Sequence, residues 1–452
     1  MSDATQTPAG PATFREVFAE SEYRALYAAN VLSWTGDYIT KAAVTVLVYQ
    51  QTESVGLSAA AFAVSFLPWL VGGPLLTALA ERHAYRTVMV ICDLARMTLV
   101  ATLAWPGLPA HTILFLVFLI TLANPPSQAA KSALLPHILT GDRLVVGLSL
   151  NISTGQAAQI VGYVAGAAIA AGSPRAALLF NAGAFALSAL IVRTGIRPRP
   201  PAARKDHRTH LLRETADGFQ VVFGTPVLRA IAILVFSSML FAIVPEGLAA
   251  GWAAEQEGAE GARRGFTQAM IMSASPLGFI FGSLVVGRAL RPDVRRALIR
   301  PFAVLAPLAL VPALLDPPPI VVALLAAASG FAVAGLMPVA NGLFVQALPN
   351  EFRARAFGVM ATGVQVMQGV AVLATGILAD RYSIPTVVGV WSIAGVLLMV
   401  TAAMQWPSAD RFNSAIAAAQ EHNRQAELAN AQRPEAVREA AGAEAGGDPR
   451  AA

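Results

Sequence analysis

The sequence predicts an all-α integral membrane protein: twelve transmembrane helices in two pseudo-symmetric six-helix bundles. Three observations carry this. Of 452 residues, 56% are hydrophobic and only 13% charged, against about 25% charged in an average soluble domain. The apolar residues come in runs of about 20, long enough to cross a hydrocarbon core of about 30 Å as a helix. Finally, six such runs, a basic polar stretch and six more suggest an internal duplication.

The runs fall at about 25–50, 56–80, 86–105, 111–135, 145–171, 174–193, 226–254, 265–289, 298–315, 318–347, 353–379 and 384–406. With the N-terminus inside, 25 of the 32 Lys and Arg lie on inner segments and 4 on outer loops. That bias puts both termini in the cytoplasm and the chain in the inner membrane. It also assigns the pI of about 9.6 to the inner membrane face and not to nucleic acid. The start, MSDATQTPAGPATFREVFAESEYR, carries acids and does not read as a cleaved signal. Cys92 has no second cysteine to pair with and is read as packing.

These runs divide the chain into a cytoplasmic N-terminus (1–24), a first bundle (25–193), a linker (194–225), a second bundle (226–406) and a partly disordered tail (407–452). Within the linker, Leu211, Leu212, Phe219, Val222 and Phe223 can share one face of an amphipathic helix on the membrane surface. The tail is Ala- and Glu-rich, with an inner-surface helix expected at 408–430. The repeat shows best in PPSQAAKSALLP and PVANGLFVQALP, which both close on a proline eleven residues after Pro125 and Pro338. Parallel six-helix repeats with a site near midplane between them are a transporter architecture.

The chain also resembles the major facilitator superfamily, and more narrowly its drug and siderophore exporters of the macrolide-efflux and enterobactin-exporter type. SWTGDYI in the first span, ALAERHAYR after the second and DLAR in the third carry the likeness. QAAKSALLPHIL, ETADGFQVVFGTPVLR, FRARAFGV and GILADR extend it over residues 15–406. In the loop after the second span, Glu81 stands where the family has aspartate, while Arg82 and Arg86 keep the basic residues. The fifth span reads IVGYVAGAAIAAG, with Gly162 and Gly166 but without the Gly-Pro of antiporters. The resemblance implies alternating access by two rocking bundles.

Six charges fall inside spans: Asp37, Lys41, Asp93, Arg96, Lys131 and Glu246. Each costs about 2.5–3.5 kcal/mol at a helix centre, so each needs protein or water beside it. Asp37 lies roughly 20 Å from the inner end of its helix, with Lys41 one turn further on the same face. Trp34 and Tyr38 flank it as cavity-type residues. Glu246, after Pro245, either flanks the same cavity as a proton carrier or sits at the outer rim. Asp93 and Arg96 read as a charge lock joining the second, third and fourth spans near the motif turn, with Glu81, Arg82, Arg86 and Lys131. Lys131 serves equally as an anchor or as an attractor of anionic substrate. Asn30, Gln156, Asn341 and Gln365 add polar lining, although interhelical hydrogen bonds would explain them too.

No nucleophile elbow, phosphate loop or metal-ligand spacing occurs, so neither enzyme chemistry nor a cofactor is expected. The partners expected are the bilayer, a small-molecule substrate and protons, with the chain a monomer. The function expected is export of small amphipathic organic molecules by proton antiport. Uptake or lysolipid flipping on the same scaffold, and a non-transporting sensor, are the alternatives.

Overall fold

In the structure, a computed structural model, residues 13–71, 83–199, 211–255 and 261–425 are described. Among them there is no strand, and helices stand at each of the twelve expected places. In chain order these are α1 (Phe14–Ala19), α2 (Ser21–Thr52), α3 (Val55–Ala63) with a 3-10 turn at Val64–Phe66, α4 (Pro68–Val71), α5 (Tyr85–Leu103), α6 (Ala110–Leu122), α7 (Asn124–Ile138), α8 (Asp142–Gly172) and α9 (Pro174–Gly195). After the linker come α10 (Leu211–Gly224), α11 (Pro226–Ala242), α12 (Val244–Glu255), α13 (Gly261–Ala289), α14 (Pro292–Ala297), α15 (Ile299–Leu308), α16 (Pro319–Gln346), α17 (Arg353–Ala379) and α18 (Ile384–Met404). A last helix, α19, covers 409–425. Eight of the spans are long and apolar enough to cross a membrane by length and composition; Val55–Phe66 and Ile299–Leu315 are shorter apolar segments.

Local chemistry sets the boundaries. Proline opens α9, α11, α14, α16 and α18, where its missing N–H is no loss. Ser173 caps α9 by accepting from the Ala176 amide at 3.2 Å, so a single residue turns the chain between two long helices. Several spans expected as continuous are instead broken, the fourth and the seventh among them. The fourth divides at Ala123, before Pro125 and Pro126, and the seventh at Ile243, before Pro245. Each proline lacks an amide for the helical ladder and crowds the turn before it. Both breaks lie beside the charged residues described below.

Glycines let the helices approach closely. A Cβ on Gly162 would sit 2.7 Å from the Thr35 carbonyl, and one on Gly166 would sit 2.8 Å from the Ile39 Cα. The α8 backbone therefore lies directly on α2.

Contacts between α2–α9 and α11–α18 gather on the face opposite the basic loops. There Gln268 of α13 donates to the Ala42 carbonyl and the Thr45 hydroxyl, each at 3.2 Å. Asp380, at the end of α17, accepts from the Ser54 hydroxyl at 3.0 Å and the Gly56 amide at 2.8 Å. It thus caps the first turn of α3 from the other half of the chain. An apolar core including Phe62, Phe66, Trp252, Ile271 and Val372 seals this side. Toward the basic face, by contrast, α8 leaves Ile152 73% and Leu148 48% exposed.

On the basic face, Arg199 grips Glu22 with two guanidinium bonds of 2.6 and 3.0 Å, and the Arg197 amide adds a third at 2.6 Å. Desolvation pushes the Glu22 carboxyl up, but these donors outweigh it and hold the group below the usual carboxylate range. The start of the linker is thereby fastened to α2. The expected amphipathic helix is present as α10, yet it does not merely lie on a surface. Val222 is fully buried in the apolar core that α10 shares with α11 and α17, and Asp217 reaches Arg355 of α17 at 3.5 Å. Leu211 and Leu212, expected on its apolar face, have side chains outside the described ones. The expected tail helix likewise docks: Phe412 packs on Trp406 and Asn423 accepts from the Asn350 amide at 2.8 Å. Residues 426–452 lie outside those described.

Candidate functional site

Midway along α2, Ser33, Asp37 and Lys41 recur every fourth residue and so share a face, with Trp34 and Tyr38 beside them. That face borders a cavity of about 180 Å³. Ser65 and Trp69 close it from the α3–α4 segment, Arg96 from α5, Asn124, Gln128 and Lys131 from α7, and Gln365 from α17. A narrower cleft continues from Asp37 and Asn124 between α2, α3 and α6.

Arg96 is the hub. Its guanidinium lies 3.8 Å from Asp37 and 3.9 Å from Asp93, donates to the Ser33 hydroxyl at 3.0 Å and rests 5.4 Å over the Phe185 ring. Asp93, fully buried, accepts from the Ser188 hydroxyl of α9 at 2.7 Å. The network therefore ties α2, α5 and α9 together. The expected lock of the second, third and fourth spans near the motif turn is changed in part: Arg96 turns to the first span, where Asp37 and Ser33 face it, while Lys131 of the fourth lies within electrostatic reach of Asp93. Arg86 is separate, donating to the Ile196 carbonyl at 3.2 Å beyond the end of α9. Glu81 and Arg82 lie outside the described residues.

The two lysines behave differently. Lys41 rests over three aromatic rings, 4.6 Å from Phe66 and 5.4 Å from Tyr38 and Phe62. Such cation–π contacts replace part of the water a buried ammonium loses. Lys131 is 5% exposed, borders the cavity and has no ion pair or hydrogen bond among the described residues.

Glu246 occupies the first turn of α12, just past the break in the seventh span, and is buried. Of the two positions left open by the sequence, the structure gives the interior and not the rim. Tyr163 of α8 donates to its carboxylate at 2.9 Å, with the Gln159 amide at 3.4 Å. Tyr163 in turn meets Tyr38 edge to face at 5.1 Å. The chain Asp37-side cavity, Tyr38, Tyr163, Glu246 thus crosses from one half of the sequence to the other, and Lys41 lies within electrostatic reach of both carboxylates.

Trp34, Tyr38 and Gln365 border the cavity as expected. Asn30 is buried with its carbonyl oxygen unpartnered, Gln156 is half-buried and Asn341 is exposed; none of the three borders this cavity. Ser33, Gln128 and Asn124 were not read from the sequence. Spacings of four and three put 124, 128 and 131 on one helical face, and 33 shares the face of 37, so periodicity anchored on the charged residues would have found them. Ser188 carries no such signal, because only the packing of α9 on α5 brings it to Asp93.

The family model described as Major Facilitator Superfamily matches residues 26–323 and again 264–439. Solved structures of the same shape include the nucleoside transporter NupG, with a TM-score of 0.63 and 15% identity over 85% of this chain and 99% of that one. A peptide transporter POT in complex with sulfate gives 0.63 and 16% over 87% and 95%. A D-xylose-proton symporter gives 0.62 and 14% over 86% and 97%. At such identities the likeness speaks for the fold. No curated protein matches the sequence significantly.

Proposed function

Because the chain belongs to the Major Facilitator Superfamily and is a membrane transporter, we propose that it is a secondary exporter of small amphipathic organic molecules, driven by exchange for protons across the inner membrane. The basic face is then cytoplasmic, and the two bundles that rock are residues 25–193 and 226–406. One observation carries the reading: Asp37, bordering the cavity with its side chain 19% exposed, and Glu246, buried and held from the opposite half, both lie within electrostatic reach of Lys41.

The geometry supplies a coupling step. The Tyr163–Glu246 bond spans the two bundles, and a hydrogen bond to an ionised carboxylate is worth about 1.5–3 kcal/mol, roughly twice its neutral counterpart. Protonating Glu246 weakens that tie and loosens the closed outer side, where Gln268 and Asp380 hold the remaining cross-links. Substrate entering from the basic face meets Asp37, Trp34 and Tyr38. Closing over the substrate while the outer contacts part would carry it across, and loss of the proton to the cytoplasm restores the tie.

In proteoliposomes with an imposed pH gradient, flux of the exported solute should follow the gradient's sign. Asp37→Asn should abolish it with protein yield unchanged. Flux indifferent to the gradient would remove the proton, and loss of protein in place of flux would make Asp37 structural. Uptake on the same scaffold is the second reading, favoured by the likeness to a proton symporter; solute accumulating with the proton influx would select it.

A further inference from the structure

A second charged cluster lies away from the central cavity, at the basic end of the second half. From Gly287 to Arg300 the chain reads GRALRPDVRRALIR, five arginines against the single acid Asp293, and neither α15 nor α16 beside it carries an acid. Short α14 packs on α16, and between the two opens a cleft of about 240 Å³ that shares no lining residue with the central cavity. One side of the cleft is a face of α16 on which Pro338, Gly342 and Gln346 recur every fourth residue. The other is Arg295 and Arg296 of α14. Arg295 is held in place by donating from Nε to the Leu290 carbonyl at 2.8 Å and from Nη2 to the Gly287 carbonyl at 2.6 Å. Arg296 is exposed, with no ion pair or hydrogen bond among the described residues. Gly342 keeps the cleft open, since a Cβ there would meet nothing within 4 Å.

The rest of that helix face says what can reach the arginines. Ile320 stands about five whole turns before Pro338 and so shares its face, with Leu324 one turn further on. Both are exposed, at 56% and 62%, near the end of α16 where the two halves are sealed together, and so they meet acyl chains and not a cavity between the halves. A lipid-facing strip of α16 therefore ends, on the basic side, against two guanidinium groups.

We propose that the cleft between α14 and α16 holds the phosphate headgroup of an anionic phospholipid from the leaflet on the basic side. Arg296 and Arg295 donate to the phosphate oxygens, which a guanidinium matches with paired N–H groups. Pro338, Val339 and Gly342 receive the glycerol and the first acyl carbons. Basic pockets at the ends of membrane-spanning helices take such headgroups. Phosphatidylcholine carries the same phosphate beside a cation, which the arginines repel. The inference needs the membrane-spanning fold and neither the direction nor the coupling of transport.

Purified full-length chain in detergent is given equal amounts of dioleoylphosphatidylglycerol and dioleoylphosphatidylcholine, and the lipid retained is counted by native mass spectrometry. Phosphatidylglycerol should be favoured at least about fivefold, the effect of one arginine near an anionic headgroup. Arg296→Gln should cut its retention by about the same factor. Gly342→Leu should do so independently, because it fills the cleft without touching a charge or meeting a neighbour. Arg300→Gln removes an equal charge from outside the lining and should cost less than about twofold. Inorganic phosphate in large excess should leave the lipid bound. Equal retention of the two lipids, or equal losses from Arg296→Gln and Arg300→Gln, would mean a diffuse attraction and overturn the proposal. Unchanged retention in Gly342→Leu would move the lipid out of the cleft and overturn it too. Displacement by inorganic phosphate would make this a site for a soluble anion, and the lipid would fall.

Discussion

Six residues after Pro125 stands Lys131, and six after Pro338 stands Phe344. In the first half, two adjacent prolines break the span at Ala123 and the lysine borders a cavity. In the second, the single Pro338 is absorbed inside one unbroken helix, α16, and Phe344 packs edge to face on Phe357 in a dry core. The repeat shares a frame, but the halves divide the labour. The residues of α2, α5 and α7 supply every charge that borders the cavity, whereas α11–α18 supply Gln365 to it and, behind it, Glu246. A pseudo-symmetric scaffold therefore holds an asymmetric site, with the charges that border the cavity all on the first half.

The largest test of that division is Arg96→Met. It strands Asp93, buried with Ser188 as its remaining hydrogen-bond donor among the described residues, and should cost about 3–5 kcal/mol. Folded yield and melting temperature in detergent should both collapse, while Phe344→Leu in the second half should cost about 1–1.5 kcal/mol and leave the site intact. Equal losses from the two would erase the distinction. Glu246→Gln comes next. It keeps a neutral hydrogen bond to Tyr163 but removes the titratable group, so solute binding should persist while the response of flux to a pH gradient falls about tenfold. A variant still fully gradient-driven would move the coupling elsewhere.

Smaller effects mark the outer seal and the linker. Asp380→Ala removes the cap that one half places on α3 of the other, worth about 1 kcal/mol, and should shift the inward-to-outward population about fivefold. Labelling rates of a cysteine introduced at the outer end of α3 would read this; an unchanged rate would mean the cap is local. Glu22 gives the smallest effect. Its carboxyl is held low in the folded protein, so its stabilisation is present above about pH 4.3 and is lost as pH falls through the lower folded value. Wild type should lose its advantage over Glu22→Gln on acidification across that window, while a constant difference in melting temperature would show that Arg199 is not its source.

Much of this was legible before any coordinates. Apolar runs fix helices because buried backbone amides have nowhere else to bond in lipid, and the charged residues inside them announce the site because lipid does not tolerate them. Spacing of four residues put Asp37 and Lys41 on one face. Less legible were the partners. That Arg96 meets Asp37 and not the motif turn, that Ser188 answers Asp93, and that Tyr163 spans to Glu246 are contacts between residues 59, 95 and 83 positions apart.

What the sequence determined by itself is therefore which segments avoid water, where helices start and break, and which side chains could not be left in lipid. Those depend on local backbone chemistry and on transfer free energies that each residue carries with it. Only the tertiary structure decided who pairs with whom and that Glu246 is interior. Pairing depends on how distant helices are phased and tilted against each other, and a periodicity along one helix holds no information about the phase of its neighbour.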